Sequence, residues 1–410
     1  MVICVYLRDL RFLLWAGGWE FLILVLLPSQ PMSNELHPIW IDTPNGVRET
    51  AERCVRAHWF ALDTEADSMH SYFHKVCLIQ VTADDRHVVI DPLALEPEDL
   101  EPLWKVVGDA SLPVLMHGAD YDVRILDRDY GIRVAGLEDT QIMAQLLGEE
   151  KTGLAALLEK ELGVQLDKKF QRADWGRRPL RPELLSYAAS DTAYLRELVD
   201  RLCARLEEQG RWSWAVEEFR KLEGVRHTAN EPDPAAFERI KGSRALRGAD
   251  RDRLFTLHRW RERQARSLDV PPFKVLGNQQ LMTMATDPPE DLDGLNDVQG
   301  VGPRAVRRWG RELLRYIRLP EPAPERVSNY RAPTPEPAVR KRIKRLRAAR
   351  DAKATDLGLQ GGLVCPRGCV DAVAAREPIC RTKDDLVSAG LEGWRLEVVG
   401  EAFLAALTED

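Results

Sequence analysis

The 410-residue chain has no long apolar run, no disulfide-type cysteine pattern and no excess of positive charge. A membrane span needs roughly 20 consecutive apolar residues. The apolar, tryptophan-rich start of the chain offers a clean run only over Phe21–Leu27, after Arg8, Asp9, Arg11 and Glu20 have interrupted it. No convincing small-residue cleavage site follows. Met32-Ser-Asn-Glu-Leu36 makes a natural start, so residues 1–31 are expected to be a dispensable upstream extension. A membrane tether is the alternative reading of that segment; otherwise no stable membrane association is expected. The seven cysteines, at 4, 54, 77, 203, 365, 369 and 380, are spread too thinly for a stapled secreted domain. They imply reduced thiols and a cytoplasmic location. Cys365-Pro-Arg-Gly-Cys369 with Cys380 lacks the fourth nearby Cys or His of a zinc module.

A net charge of −7 argues against a nucleic-acid binder until its distribution is read. Residues 1–230 carry 26 Lys and Arg against 38 Asp and Glu, whereas residues 231–410 carry 32 against 27. The first part is therefore −12 and the second +5. An acidic region that collects cations and a basic region that collects phosphates would give this asymmetry.

Five side chains in three segments carry the chemistry. Asp63 and Glu65 end the apolar run Trp59-Phe-Ala-Leu62; in a strand, residues two apart share a face. Asp122 opens an expected helix just after the strand-like Pro113–Met116. Tyr187 and Asp191 lie four apart in an expected helix, which puts them on one side of it. Acids that converge in an apolar scaffold cannot all stay ionised unless hard cations neutralise them. The expectation is a pair of Mg²⁺ or Mn²⁺ ions held by carboxylates.

In order and spacing these motifs resemble the DEDDy branch of the 3′→5′ exonucleases. Ser186 stands five before Asp191, where the histidine-type branch would have its histidine. The neighbouring segments KVCLIQVT, VVIDPLAL, EDTQIMAQLL and LDKKFQRADWGRRPL resemble ribonuclease D over about Ile39 to Leu206. The resemblance implies a ribonuclease H-like α/β fold. It implies that Asp63 bridges both ions, that Glu65 and Asp191 hold the one carrying the nucleophilic water, that Asp122 holds the other, and that Tyr187 orients that water. It also implies a 3′→5′ exoribonuclease that releases nucleoside 5′-monophosphates. The expected substrates are tRNA precursors and other small structured RNAs with single-stranded 3′ ends. A DNA exonuclease of repair and a catalytically dead nucleic-acid-binding protein stay open as alternatives.

Met69, His70 and Tyr72 stand where related exonucleases pack the terminal nucleotide, and ordinary packing fits them equally. Lys168, Lys169, Arg172, Arg177 and Arg178 are expected to meet phosphates, while His117 reads as a core histidine. Arg304, Arg307, Arg308 and Arg311 recur every three or four residues, so one helix presents a cationic stripe. Beside it, Val298–Ala305 resembles a helix-hairpin-helix turn whose N–H groups can grip a phosphate.

Strands are expected at Trp59–Leu62, Val76–Val81, Val88–Ile90 and Pro113–Met116. Helices are expected at Asp99–Val107, Asp122–Asp129, Gln141–Leu147, Gly153–Leu162 and Glu183–Leu206. Beyond Trp214 the chain becomes helical and arginine-rich, and residues 257–285 align without a gap on 346–374. The first copy resembles the helicase-and-RNase-D C-terminal (HRDC) domain. The expected organisation is the extension at 1–31, an exonuclease domain at 32–215 and a linker at 216–235. HRDC-like helical domains follow at 236–318 and, more divergent, at 339–410, joined by a proline-rich linker at 319–338.

Overall fold

The computed structural model describes residues 36–167, 169–228, 233–325 and 335–408. The expected extension at 1–31, Lys168, and parts of both linkers lie outside the described residues. Six strands form one sheet: β1 (Ile39–Ile41), β2 (Phe60–Ala66), β3 (Val76–Ala83), β4 (Arg86–Ile90), β5 (Val114–Met116) and β6 (Leu137–Asp139), in the order β1-β4-β3-β2-β5-β6. The expected antiparallel meander is β2-β3-β4. β5 and β6 continue parallel to β2, and β1 lies parallel to β4 at the opposite edge. The two edge strands, three residues each, escaped the sequence reading.

Eight helices belong to this region: α1 (Pro44–Ala57), α2 (Glu101–Val107), α3 (Asp120–Tyr130), α4 (Thr140–Leu146), α5 (Leu154–Leu162), α6 (Pro182–Ala193), α7 (Leu195–Glu208) and α8 (Trp212–Glu223). Alternation along β2 sorts them. Phe60 and Leu62 face a core built with α1, α2 and α3. Ala61, with Leu115 of β5, faces α4, α5 and α7, and Leu78 of β3 faces α6. Asp63 and Glu65 continue the second face, so they point toward α6.

Two boundaries differ from expectation. The single helix expected over Glu183–Leu206 breaks at Tyr194, whose φ of −109° and ψ of 4° leave the helical region. The linker expected from 216 begins later, because α8 carries Ala215 and Phe219 into the core beneath α4 and α7.

The helical half is a repeat in three dimensions. α9 (Gly248–Leu268), α10 (Pro272–Val275), α11 (Asn278–Thr286), α12 (Leu292–Asp297) and α13 (Pro303–Arg318) have 21, 4, 9, 6 and 16 residues. α14 (Pro337–Leu357), α15 (Gly361–Val364), α16 (Arg367–Ala375), α17 (Lys383–Ser388) and α18 (Gly393–Thr408) repeat that series of lengths. Equivalent positions are buried alike: Leu257 and Leu346, Ala265 and Ala354, Val275 and Val364, Ala285 and Ala374. A hydrogen bond recurs too. Arg253 Nε donates to the Ala285 carbonyl at 2.8 Å, and Arg342 Nε to the Ala374 carbonyl at 2.7 Å.

Both helical lobes seat on the catalytic one. Trp394 of α18 stacks on Trp214 of α8 at 4.7 Å, and Arg395 binds Glu218 through both nitrogens at 2.5 and 2.9 Å. Burying a ring of that size contributes on the order of 3 kcal/mol. On the other side, Asp269 after α9 accepts hydrogen bonds from the backbone of Tyr72 (3.0 Å) and Phe73 (2.9 Å). Among the described residues, no helix is long and apolar enough to cross a membrane.

Candidate active site

Asp63 and Glu65 reach the site because β2 is central and ends there, with a register shift between Glu65 and Ala66. Asp122 comes from the first turn of α3. Its approach depends on Asp139, a fully buried carboxylate at the end of β6. Asp139 accepts from the N–H groups of Gly118 (3.0 Å) and Ala119 (2.8 Å) on one side, and of Gln141 (2.7 Å) and Ile142 (3.2 Å) on the other. One side chain thus caps α4 and holds the β5–α3 turn. Gly118 makes that turn at φ +67°, a left-handed conformation that costs glycine little. Thr64, on the opposite face of β2 from Asp63, donates to Asp122 Oδ1 at 2.5 Å and fixes that carboxylate.

Tyr187 and Asp191 descend from α6. Phe170 meets the Tyr187 ring edge-on at 5.9 Å and Trp175 stacks beside it at 6.1 Å. The segment ahead of α6 therefore serves as the socket for the phenol. Asp63, Tyr187 and Asp191 line one cavity of about 330 Å³, together with His117, the start of α5 at Gly153–Ala156, Leu166, Asp167 and Gln171.

Electrostatics bind the acids into one unit. Burial, then the charges of Asp122, Asp191 and Glu65, push the Asp63 carboxyl well above the usual carboxylate range. Burial with Asp191 and Asp122 lifts Glu65 to about 9. Burial and Asp122 lift Asp191 to about 7, and burial lifts Asp122 to about 6 against the Thr64 hydrogen bond. Burial, Asp191 and Glu65 push the Tyr187 phenol well above its ordinary value, so it keeps its proton. Among the described residues no three His, Cys, Asp or Glu side chains already close around one point as a metal cage. The acids form an open cluster instead. Its all-oxygen donors and uncompensated mutual repulsion fit hard divalent cations.

The residues expected to touch substrate divide. Met69 is 46% exposed. His70 Nδ1 lies 3.1 Å from Lys274 Nζ and its Nε2 lies 3.3 Å from the Arg172 carbonyl, so it joins the catalytic lobe to α10. Tyr72, partly buried, packs against the core of the first helical lobe, which accords with the packing alternative for this residue. Lys169, with Nζ over the Phe170 ring, borders the Tyr187 socket, and Arg172 and Arg177 are exposed.

Arg178 is a correction. Its Nε and Nη2 bind Asp91 at 2.7 and 2.6 Å. Nη1 donates to the carbonyls of Trp175 and Arg177, and Nη2 also to that of Cys77. All five guanidinium N–H groups are engaged, which leaves none for a phosphate. Arg304, Arg307, Arg308 and Arg311 stand exposed along α13, and among the described residues none has an ion-pair partner. Sequence reasoning passed over Asp139, Thr64 and Asp91. The only signals were a polar residue flanking a short apolar run and the DPLAL segment after β4.

A central mixed sheet with carboxylates and a phenol at its end defines a 3′→5′ exonuclease on a ribonuclease H-like fold. The 3′-5′ exonuclease family model matches residues 38–207 and the HRDC domain model residues 250–317. The ribonuclease D of Gluconacetobacter diazotrophicus is 30% identical over 379 residues, covering 90% of this chain and 92% of its own. That of Xanthomonas oryzae pv. oryzae is 32% identical over 333 residues, covering 80% and 90%. Escherichia coli RNase D, an exoribonuclease involved in structured RNA processing, superposes with a TM-score of 0.62 at 25% identity over 91% of this chain and 99% of its own. The catalytic core of RRP6 from Trypanosoma brucei gives 0.63 at 26% identity over 73% and 81%. The chain belongs to the ribonuclease D family and is a hydrolytic 3′→5′ exoribonuclease.

Proposed function

We propose that this enzyme removes 3′-terminal nucleotides as nucleoside 5′-monophosphates from tRNA precursors and other small structured RNAs with single-stranded 3′ ends, in the cytoplasm. The observation that carries the chemistry is a group of four buried or half-buried carboxylates beside the Tyr187 phenol; three of the four, Asp63, Glu65 and Asp191, are pushed above the usual carboxylate range by burial and by charges within the group. Asp63, Glu65, Asp122 and Asp191 would hold two divalent cations, Mg²⁺ or Mn²⁺. Such a pair supplies charge neutralisation for the attacking and leaving oxygens of a phosphodiester. Tyr187 retains its proton and so orients the attacking water by hydrogen bonding rather than deprotonating it. Thr64 and Asp139 keep Asp122 in place. The exposed arginines of α13 grip the RNA backbone without reading its sequence. The second lobe, whose helices repeat those of the HRDC match in length and hydrogen bonding, is inferred to be a second HRDC-like domain.

Digestion of a 3′-extended tRNA with Mg²⁺, with Mn²⁺ and with chelator, products being sized, tests this reading. Stepwise shortening and free 5′-monophosphates are expected only with a divalent ion. Endonucleolytic fragments, 3′-monophosphates or undiminished activity in chelator would contradict it.

A further inference from the structure

We propose that His117 reads the sugar: its Nε2 accepts a hydrogen bond from a ribose hydroxyl of the 3′-terminal nucleotide. The proposal rests on the exoribonuclease reading of the same cavity and assigns the residue that contacts the terminal sugar; a contact to the 2′-hydroxyl would also favour RNA over DNA. His117 follows β5 and lines the cavity with Asp63, Tyr187 and Asp191. Its Nδ1 lies 2.8 Å from Thr140 Oγ1. That hydroxyl has a single proton, and it donates it to the Met116 carbonyl at 3.2 Å. Both contacts form together only when Thr140 accepts from the ring, and that pairing assigns the imidazole proton to Nδ1. Burial opposes a second proton, against the pull of the Asp139 carboxylate. The ring is the neutral tautomer with a bare nitrogen at Nε2. Among the described residues nothing pairs with Nε2, and that atom is not fully buried.

A bare nitrogen discriminates between what a nucleic-acid end can offer. Phosphate oxygens are acceptors and gain nothing from it. Ribose hydroxyls are donors, and a deoxyribose has one fewer. Thr140 opens α4, whose first turn Asp139 caps, so the nitrogen is held by buried structure rather than by a mobile side chain.

The test uses the full chain and four oligonucleotides of one sequence: all-RNA, RNA ending in a 2′-deoxynucleotide, RNA ending in a 3′-deoxynucleotide, and DNA. The wild type is expected to favour the all-RNA end by roughly tenfold in kcat/KM over whichever terminal deoxy end removes the contacted hydroxyl, the worth of one good hydrogen bond. The two terminal arms thereby identify the hydroxyl. His117→Ala should abolish that preference, costing the all-RNA end roughly tenfold more in kcat/KM than it costs the matching deoxy end. Thr140→Val, which keeps the ring but removes its anchor, should weaken the preference. Nitrogen-15 NMR of labelled histidine should show Nδ1 protonated in the wild type. Equal wild-type turnover of all the RNA ends, an equal loss on every substrate in His117→Ala, or a proton on Nε2 would each overturn the assignment. A wild type that leaves all-RNA intact yet degrades DNA would instead overturn the proposed function.

Discussion

Asp63→Asn or Asp191→Asn removes one charge from a group of acids that already raise one another's affinity for protons. Each variant is expected to lose at least about a thousandfold in hydrolysis, roughly the 4 kcal/mol a fixed electrostatic contribution supplies. The repulsion it relieves should leave melting unchanged or improved. Near-normal turnover in either purified variant would refute the assignment. The same charges make stability depend on pH. In the unfolded chain Glu65 and Asp191 lose their protons near pH 4; folded, they hold them to about 9 and about 7. Between those limits the folded state binds more protons, so rising pH favours unfolding. In chelator the melting temperature should fall by several degrees from pH 5 to pH 9, less steeply in Glu65→Gln. Divalent ions, which bind the deprotonated acids, should reverse the fall. A flat or rising profile in chelator would count against the cluster.

At the scale of elements, Asp91 and Arg178 tie the segment ahead of α6 to β3 and to the turn after β4. Arg178→Met would leave the buried Asp91 carboxylate and the Cys77 carbonyl without their partner. Breaking a pair of this kind costs about 3 kcal/mol, to be read from urea unfolding, with RNA affinity expected to change little. Intact stability with weakened RNA binding would restore Arg178 to the substrate. The meander, the helices after Asp99 and the places of Asp63, Glu65, Tyr187 and Asp191 are legible in periodicity, since spacing alone sets which side chains share a face. Arg178 is not legible in that way. Its charge looks the same in the text whether it points at solvent or at Asp91, 87 residues away.

For the whole molecule, substrate capture is the role proposed for the helical lobes. Replacing Arg304, Arg307, Arg308 and Arg311 with glutamine should weaken binding of a structured RNA and flatten its log–log salt slope by up to about 0.7 for each lost phosphate contact. Hydrolysis of a short oligonucleotide should continue at the original rate. An unchanged slope would remove α13 from the interface. Deleting residues 339–410 is a poorer test of capture, because it strips Trp394 from Trp214 and uncovers catalytic-lobe core.

The order and spacing of the five candidate catalytic groups, the strand-then-helix pattern and the offset of 89 residues between the two helical copies are legible in the sequence alone. Each is a local or periodic property, visible in a short window or in a comparison of two. Tertiary structure decided the rest: that Asp139 steadies Asp122, that Arg178 turns inward, and that Tyr72 meets the first helical lobe. Its backbone N–H lies 3.0 Å from Asp269, 197 residues later. Such pairings depend on which surfaces fold into contact, and no local pattern of residues encodes a partner that distant.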